Sequence, residues 1–407
     1  MPGEYIDVPS ENPPKQIWKM LRMYLDQSHT VEQIRSMHEV PKEQAKNVEK
    51  QAAQIAYSIR QGEEYFKAAE GVSAATRPLL LYYGAVNLSR ALTLMLLSGS
   101  HSIDALREAQ RHQHHGLDLI KDGLRANSGH GASDFLAGIK CRIHLHEKTK
   151  EPWGHFAVFY GCTPTTTLLT PCEYVRVYPE RIEKHMGRHL PTTTIPSKPL
   201  EEVSSRKLSV LEELSSLPDM YHYLLQHKIE PRVHPFSPRF QIIQRCTTVQ
   251  GIIHEIGDSR RRLGFHISDL TAQQKEDFIV RYSAAFKSLK VTKTTENSVH
   301  FEMKEPSEAE KSLSANEHVP DTLSDIAGRH YLHRFPEHCF MEAHSHLLIL
   351  FCFGMLSRYS PDIWMRAIDS NVAVAEIVDM FMDVCQRKFP NLMLNGITGN
   401  HYHVHLT

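Results

Sequence analysis

Paired cysteines, long apolar runs, glycine-rich phosphate loops and net charge are all missing from this 407-residue sequence. Its seven cysteines (141, 162, 172, 246, 339, 352 and 385) are scattered, with no C-x-x-C pair. An odd, unpatterned set in a chain of this length points to reduced thiols and a cytoplasmic setting. The longest apolar run, Leu347–Leu356, is well short of the roughly 20 residues of a membrane span. A second stretch, Pro78–Ser98, is interrupted by Asn87 and Arg90. The opening residues, MPGEYIDVPSENPPK, are acidic and proline-rich, unlike a signal peptide, so no membrane partner is expected. Lys plus Arg number 46 against 47 Asp plus Glu, a net charge of −1. No global field draws nucleic acid or an anionic membrane to such a surface. The one dense basic tract, DSRRRLG (Asp258–Gly264), reads as a solvated loop or helix end. Neither G-x-x-x-x-G-K-[ST] nor G-x-G-x-x-G occurs, which disfavours P-loop hydrolysis and Rossmann-type redox chemistry. G-x-S-x-G and H-E-x-x-H are absent too, and no cysteine sits in a protease-like context.

What the chain does have is histidine, 27 residues against 20 glycines. Because imidazole titrates near pH ~6.5, the surface gains positive charge as the pH falls toward 5.5. With 41% apolar and 23% charged residues the composition is that of an ordinary globular protein, long enough for two or three domains.

The first third reads as helix. PPKQIWKMLRMYLDQ places Ile17, Met20, Leu21, Tyr24 and Leu25 at helical spacing behind a pair of prolines. Lys42 to Glu70 carries a recurring apolar face, with Gly62 as a weak point or break. RPLLLYYGAVNLSRALTLMLLSG follows, apolar nearly all round and so central in its bundle, with Pro78 in its first turn and Gly99 as a stop. Its Tyr82, Tyr83, Asn87 and Arg90 are expected to pair with one another or cap neighbours inside the core. After about residue 125 the character changes. GHFAVFYGC (Gly154–Cys162), EYVRVYP (Glu173–Pro179), PRFQIIQRC (Pro238–Cys246) and VTKTTENSVHFEMK (Val291–Lys304) read as strands, the last a hairpin turning at Glu296–Ser298. PTTTIPSKP and EPSEAEKSLSANEHVPD read as exposed connections. Helix is expected again after residue 322. The predicted plan is mainly α with an α+β middle: a helical region over 1–125, a mixed region with small antiparallel sheet elements over 126–320, and a helical region over 321–407 packing with the first to form a bundle.

Three separated segments carry a family resemblance: GEEYFKAAEGVSAATRPLLLYYGAVNLSRAL, then HHGL (His114–Leu117), then LLILFCFGMLSRYSPDIW. In that order, over most of the chain, they resemble the YaaC-like proteins, bacterial proteins of uncharacterised function. The resemblance implies a largely helical cytoplasmic protein and supplies no established active site. The early helices also resemble, more faintly, HEPN-type domains, some of which cleave RNA and some of which only bind. Their ribonuclease signature is Arg-x4–6-His. Six matches occur here against about five expected from the frequencies of the two residues, so the count itself is uninformative. Arg107 with His112 or His114 is the pair best placed on a helix.

Three other constellations could carry chemistry. His338, Glu342 and His346 share a helical face, but i to i+8 spans about 12 Å, too far for one ion, so they read as the polar flank of a buried helix. Arg329, His330, His333 and Arg334 make a basic cluster suited to phosphate or a nucleic-acid backbone near a helix start, with His115 in the similar RHQHHGL tract. GNHYHVHLT, read as a strand, puts His401, His403 and His405 on one face, half of a zinc or other divalent-metal site. The leading expectation is a binding or regulatory helical module, without a cofactor, for RNA, single-stranded DNA or another protein. A metal-independent ribonuclease using Arg107 with His112 or His114 is the alternative, and a metal-dependent phosphoesterase built on His401, His403 and His405 is the third. Oligomeric state is not written in the sequence.

Overall fold

A computed structural model of the chain describes residues 5–97, 102–108, 114–120, 131–163, 167–170, 172–186, 190–193, 200–249, 252–256, 260–267, 271–285, 289–295, 298–303, 322–334 and 340–407. The chain divides into two compact units. One gathers Asp7–Pro164, Ser197–Pro231 and Cys339–Thr407, and is mainly helical. The other gathers Met1–Ile6, Thr165–Pro196 and Arg232–His338, and is mainly strand.

In the helical unit the Arg77–Leu96 helix is the hub, with the Ala45–Glu70, Glu342–Tyr359 and Val372–Thr398 helices packed around it. Its composition dictates this: 14 of its residues are buried, on every side of the cylinder. It is long and apolar enough to cross a membrane by length and composition, yet 72% of that stretch is buried inside the protein. Close packing depends on missing side chains. A Cβ on Gly84 would lie 2.6 Å from the Phe66 ring, and one on Gly396 would lie 2.8 Å from Leu92. Gly62 is likewise an approach point, 3.0 Å from Leu88, and the Ala45–Glu70 helix runs through it without the expected break. Pro78 sits in the first turn of its helix as expected; Gly99 lies outside the described residues.

GHFAVFYGC is helix, His155–Cys162, where alternation suggested strand. The run is apolar at nearly every position, so its period is ambiguous. Burial of His155, Phe156, Phe159 and Tyr160, one side of a helix, decides the matter. A three-stranded sheet (Leu117–Ile120, Lys140–Ile143, Leu208–Ser209) flanks the bundle.

In the second unit the 17-residue strand Val233–Val249 is the spine of a nine-stranded sheet among the described residues. It pairs antiparallel with Arg260–Ile267 and His330–His333, and parallel with Cys172–Val177. The expected hairpin is present as Leu289–Thr295 and Ser298–Met303, with residues 296–297 outside the described set. The arginines of DSRRRLG begin a strand, Arg260–Ile267, and not a loop or helix end, because the backbone is taken up by ladders on both sides. Helix does not return at residue 322 either: the chain first forms Thr322–Ser324 and His330–His333, and helix resumes at Glu342. EPSEAEKSLSANEHVPD and most of PTTTIPSKP lie outside the described residues.

Candidate functional site

The three segments that carry the family resemblance are far apart in sequence and meet in the helical unit. Tyr82 and Tyr83 come from the hub helix, His114 and His115 from the HHGL loop, Phe351 and Arg358 from the Glu342–Tyr359 helix. Tyr82 Oη lies 2.7 Å from His115 Nδ1. Arg358 donates from a guanidinium nitrogen to Tyr83 Oη at 2.7 Å. The His115 ring rests between Tyr82 and Phe351, with centroids at 5.4 and 6.0 Å.

The protonation states follow from the surroundings. Burial pushes the Tyr82 phenol well above its ordinary pKa, with Tyr83 and Cys352 adding to the rise and Arg90 opposing it. Loss of water around its ring, then the positive Arg358 and the neighbouring His114, lower the pKa of His115. The phenol therefore keeps its proton and donates to Nδ1 of a neutral imidazole, which leaves an N–H on Nε2. Asn87 Nδ2 donates to the Tyr83 carbonyl at 2.9 Å, and Arg90 donates to Asn87 Oδ1 at 3.2 Å. Of the four polar residues expected to pair with one another or cap neighbours inside the core, Asn87 and Arg90 pair with each other, and the two tyrosine hydroxyls reach the HHGL loop and the Glu342–Tyr359 helix.

The HHGL loop is pinned by its backbone. His155 N–H donates to the His114 carbonyl at 2.9 Å, Phe156 N–H to the His115 carbonyl at 3.0 Å, and His144 N–H to the Gly116 carbonyl at 3.0 Å. This close seam needs two glycines face to face. Gly116 (φ +85) and Gly154 (φ +99) both occupy left-handed backbone, and a Cβ on Gly154 would meet Gly116 Cα at 2.6 Å. A second pair of rings runs on from His114, tilted against His144 with centroids 5.2 Å apart, and His144 Nδ1 lies 3.0 Å from Asp118 Oδ1. His114, His115 and Arg358 are exposed and Tyr83 is half-buried, so the cluster presents imidazole, phenol and guanidinium groups to solvent.

Other sequence-predicted residues fall elsewhere. The Arg107 side chain, His112 and His338 lie outside the described residues. Glu342 and His346 do share a helical face, 3.7 Å apart, but His346 is buried and Glu342 is half-buried with little of its side chain exposed. Sequence reasoning missed their partner: Lys388 Nζ sits 3.2 Å from Glu342 Oε1 and 2.9 Å from Asp219 Oδ2, a buried cation between two carboxylates. Burial lowers the Lys388 pKa, and the two carboxylates override it and raise it. His344 is buried among Phe156, Phe159, Tyr160 and Phe340, and burial pulls its pKa down to about 3. Its Nδ1 accepts from the Met341 N–H at 3.2 Å, so Nε2 donates to Thr163 Oγ1, also at 3.2 Å.

Arg329, His330, His333 and Arg334 belong to a strand hairpin of the other unit and not to a helix start. Arg329 is tied to the buried Asp325 at 2.7 Å, and Asp325 also accepts from the Arg329 N–H and Tyr331 Oη. His333 is buried, its carbonyl accepting from Tyr282 Oη at 2.6 Å. His401, His403 and His405 lie on a strand, His401–Leu406, as their alternation implies. Among the described residues one group of side chains meets the spacing of a metal site, Asp7 with His403 and His405.

The fold and the cluster together define a mainly helical protein whose sequence alternates between a helical and a sheet-built unit, the helical one displaying a Tyr–His–Arg surface from three distant segments. The chain belongs to the YaaC-like protein family, whose model matches residues 21–127 and 180–397. Those ranges include Tyr82, Tyr83, His115 and Arg358. No curated protein and no solved structure matches the chain.

Proposed function

We propose that this YaaC-like protein is a binding module and that its His114–His115–Arg358 surface takes single-stranded nucleic acid. The observation that supports this is the convergence of the three family segments on the Tyr82–His115 and Tyr83–Arg358 contacts. A guanidinium held by a phenol is pre-oriented for a phosphate, and exposed rings beside it suit stacked bases. Tyr65 and Tyr359 extend the ring surface, Tyr65 against Tyr83 at 5.9 Å and Tyr359 beneath the Arg358 guanidinium at 4.9 Å. The net charge of −1 fits a small local site better than a long electrostatic track.

The test is a gel with end-labelled RNA and single-stranded DNA, with and without EDTA, scoring shift and cleavage together. A shift that weakens about tenfold or more in Arg358→Ala supports the reading, since a lost charge-assisted hydrogen bond is worth roughly 1.5–3 kcal/mol. Cleavage that survives EDTA would replace it with the ribonuclease alternative of Arg107 with His112 or His114. Neither shift nor cleavage would sink it and direct the search to protein partners.

A further inference from the structure

We propose that Asp7, His403 and His405 form a site for one divalent transition-metal ion of the zinc class, joining two strands whose residues stand 396 positions apart. The inference is independent of the nucleic-acid reading. The site also lies outside the residues matched by the family model.

The ligand set is built by two paired strands, Tyr5–Ser10 and His401–Leu406. Residues i and i+2 of a strand point to one face, which brings His403 and His405 side by side with ring centroids 5.0 Å apart. The strand is anchored beneath them. Val404 is buried, Asn391 donates to the Tyr402 carbonyl at 3.1 Å, and the Tyr402 N–H donates to Asn395 Oδ1 at 3.0 Å. Asp7 Oδ1 completes the group, 3.1 Å from both His403 Nδ1 and His405 Nε2. All three ligand atoms fall within 4.8 Å of one another. Tetrahedral bonds of about 2.0–2.1 Å separate ligand atoms by roughly 3.3 Å, so little movement is needed to receive an ion.

The tautomer of His405 strengthens the case. Its Nδ1 lies 3.0 Å from the Leu406 carbonyl, and a carbonyl only accepts, so Nδ1 carries a proton. In the neutral ring Nε2 is then a lone pair, and it faces the Asp7 carboxylate oxygen, a second acceptor. Two acceptors at 3.1 Å require a cation between them, either a proton or a metal ion. A metal-bound histidine usually donates its remote N–H to a backbone carbonyl or a carboxylate while its other nitrogen holds the ion, and the Nδ1–Leu406 contact of His405 supplies the first half of that arrangement. Two imidazoles and one carboxylate suit zinc-class ions better than calcium or magnesium, which prefer all-oxygen sites.

The experiment uses the full, untagged chain, because a histidine tag would mask the result. Protein equilibrated with zinc and freed of excess is assayed for metal beside His403→Ala/His405→Ala and Asp7→Asn. Since 27 histidines can hold zinc loosely, the difference between chains is the readout. Wild type should retain one zinc per chain more than the double variant, and its thermal midpoint should rise with zinc while the variant's does not. Asp7→Asn, which keeps the shape and removes the charge, should weaken zinc by at least the roughly 10–100-fold typical of outer-shell losses. His401→Ala should keep the ion, and its failure to do so would overturn the three-ligand assignment. Equal zinc content and equal midpoints in wild type and double variant would overturn the site altogether and leave Asp7 as a partner for protonated imidazoles only.

Discussion

Tyr82 and His115, 33 residues apart in sequence, share a 2.7 Å hydrogen bond in which the buried phenol donates to Nδ1. The bond does two things at once. It satisfies a hydroxyl that the hub helix carries into the core, and it fixes which nitrogen of an exposed imidazole offers an N–H to solvent.

Changing Tyr82 to Phe should separate those effects. Removing the hydroxyl leaves Nδ1 without this donor and costs about 0.5–1.5 kcal/mol, small against the packing that the ring retains. The His115 tautomer is no longer held, so nitrogen NMR of the histidines should show both neutral forms for this ring where wild type shows one. An unchanged tautomer would mean that the hydrogen bond is not what orients the ring.

Gly116→Ala tests the seam beneath the loop. An added Cβ would lie 2.7 Å from the Phe156 nitrogen, on a backbone at φ +85 that L side chains rarely adopt. Strained backbone of this kind costs about 1–3 kcal/mol, and the clash adds to it. The denaturation midpoint should fall, and nucleic-acid affinity should fall with it as His114 and His115 shift. A folded variant with unchanged binding would dissociate the loop from the proposed surface.

Much of the architecture was legible because it is local. Proline at the first turn of the hub helix, its all-round apolar surface and the 289–303 hairpin are written within a few residues of where they act. The His-x-His-x-His alternation likewise gave a strand. What escaped is set by contacts between distant residues. Nothing near Gly116 announces that Gly154 must also lack a side chain, and nothing near Asp7 marks it as the carboxylate facing His403. The same holds for Lys388: on its own helix it is one more charged residue, and only Asp219 and Glu342 make it a buried ion. HFAVFYGC misled for the opposite reason, since a segment that is apolar throughout fits either period until burial selects one.

Lys388→Met should expose the electrostatics of that buried triad. Two carboxylates lose their counter-charge in the interior, at a cost of about 3–5 kcal/mol. The pH dependence should also change sign. In wild type, burial raises the Glu342 pKa, and the Lys388 charge together with the neighbouring His346 outweighs it, so the net shift is downward from 4.5. That contribution is present above the unfolded value and lost as the pH falls through the lower, folded one. Without Lys388, burial dominates, Glu342 favours its protonated form, and the variant should gain stability relative to wild type as the pH is lowered toward the carboxylate range. Parallel acid limbs in urea melts would show that the triad is not coupled to folding.

His344 supplies a second acid-sensitive element. Burial lowers its pKa from 6.5 to about 3, so between those values the unfolded chain holds a proton that the folded chain does not. Stability is then fully present above pH ~6.5 and falls by roughly 1.4 kcal/mol for each unit of acidification toward pH ~3. His344→Gln keeps an acceptor for the Met341 N–H and removes the titration. Its stability at neutral pH should drop through poorer packing against Phe159 and Tyr160, while its acid limb should flatten by close to that slope. With 27 histidines in the chain, wild type alone could not assign the slope to one ring; the difference between the two curves can. If both proteins lose stability equally between pH 6.5 and 4, protonation of His344 is not what the fold resists, and the pocket of Phe156, Phe159, Tyr160 and Phe340 admits a charged ring.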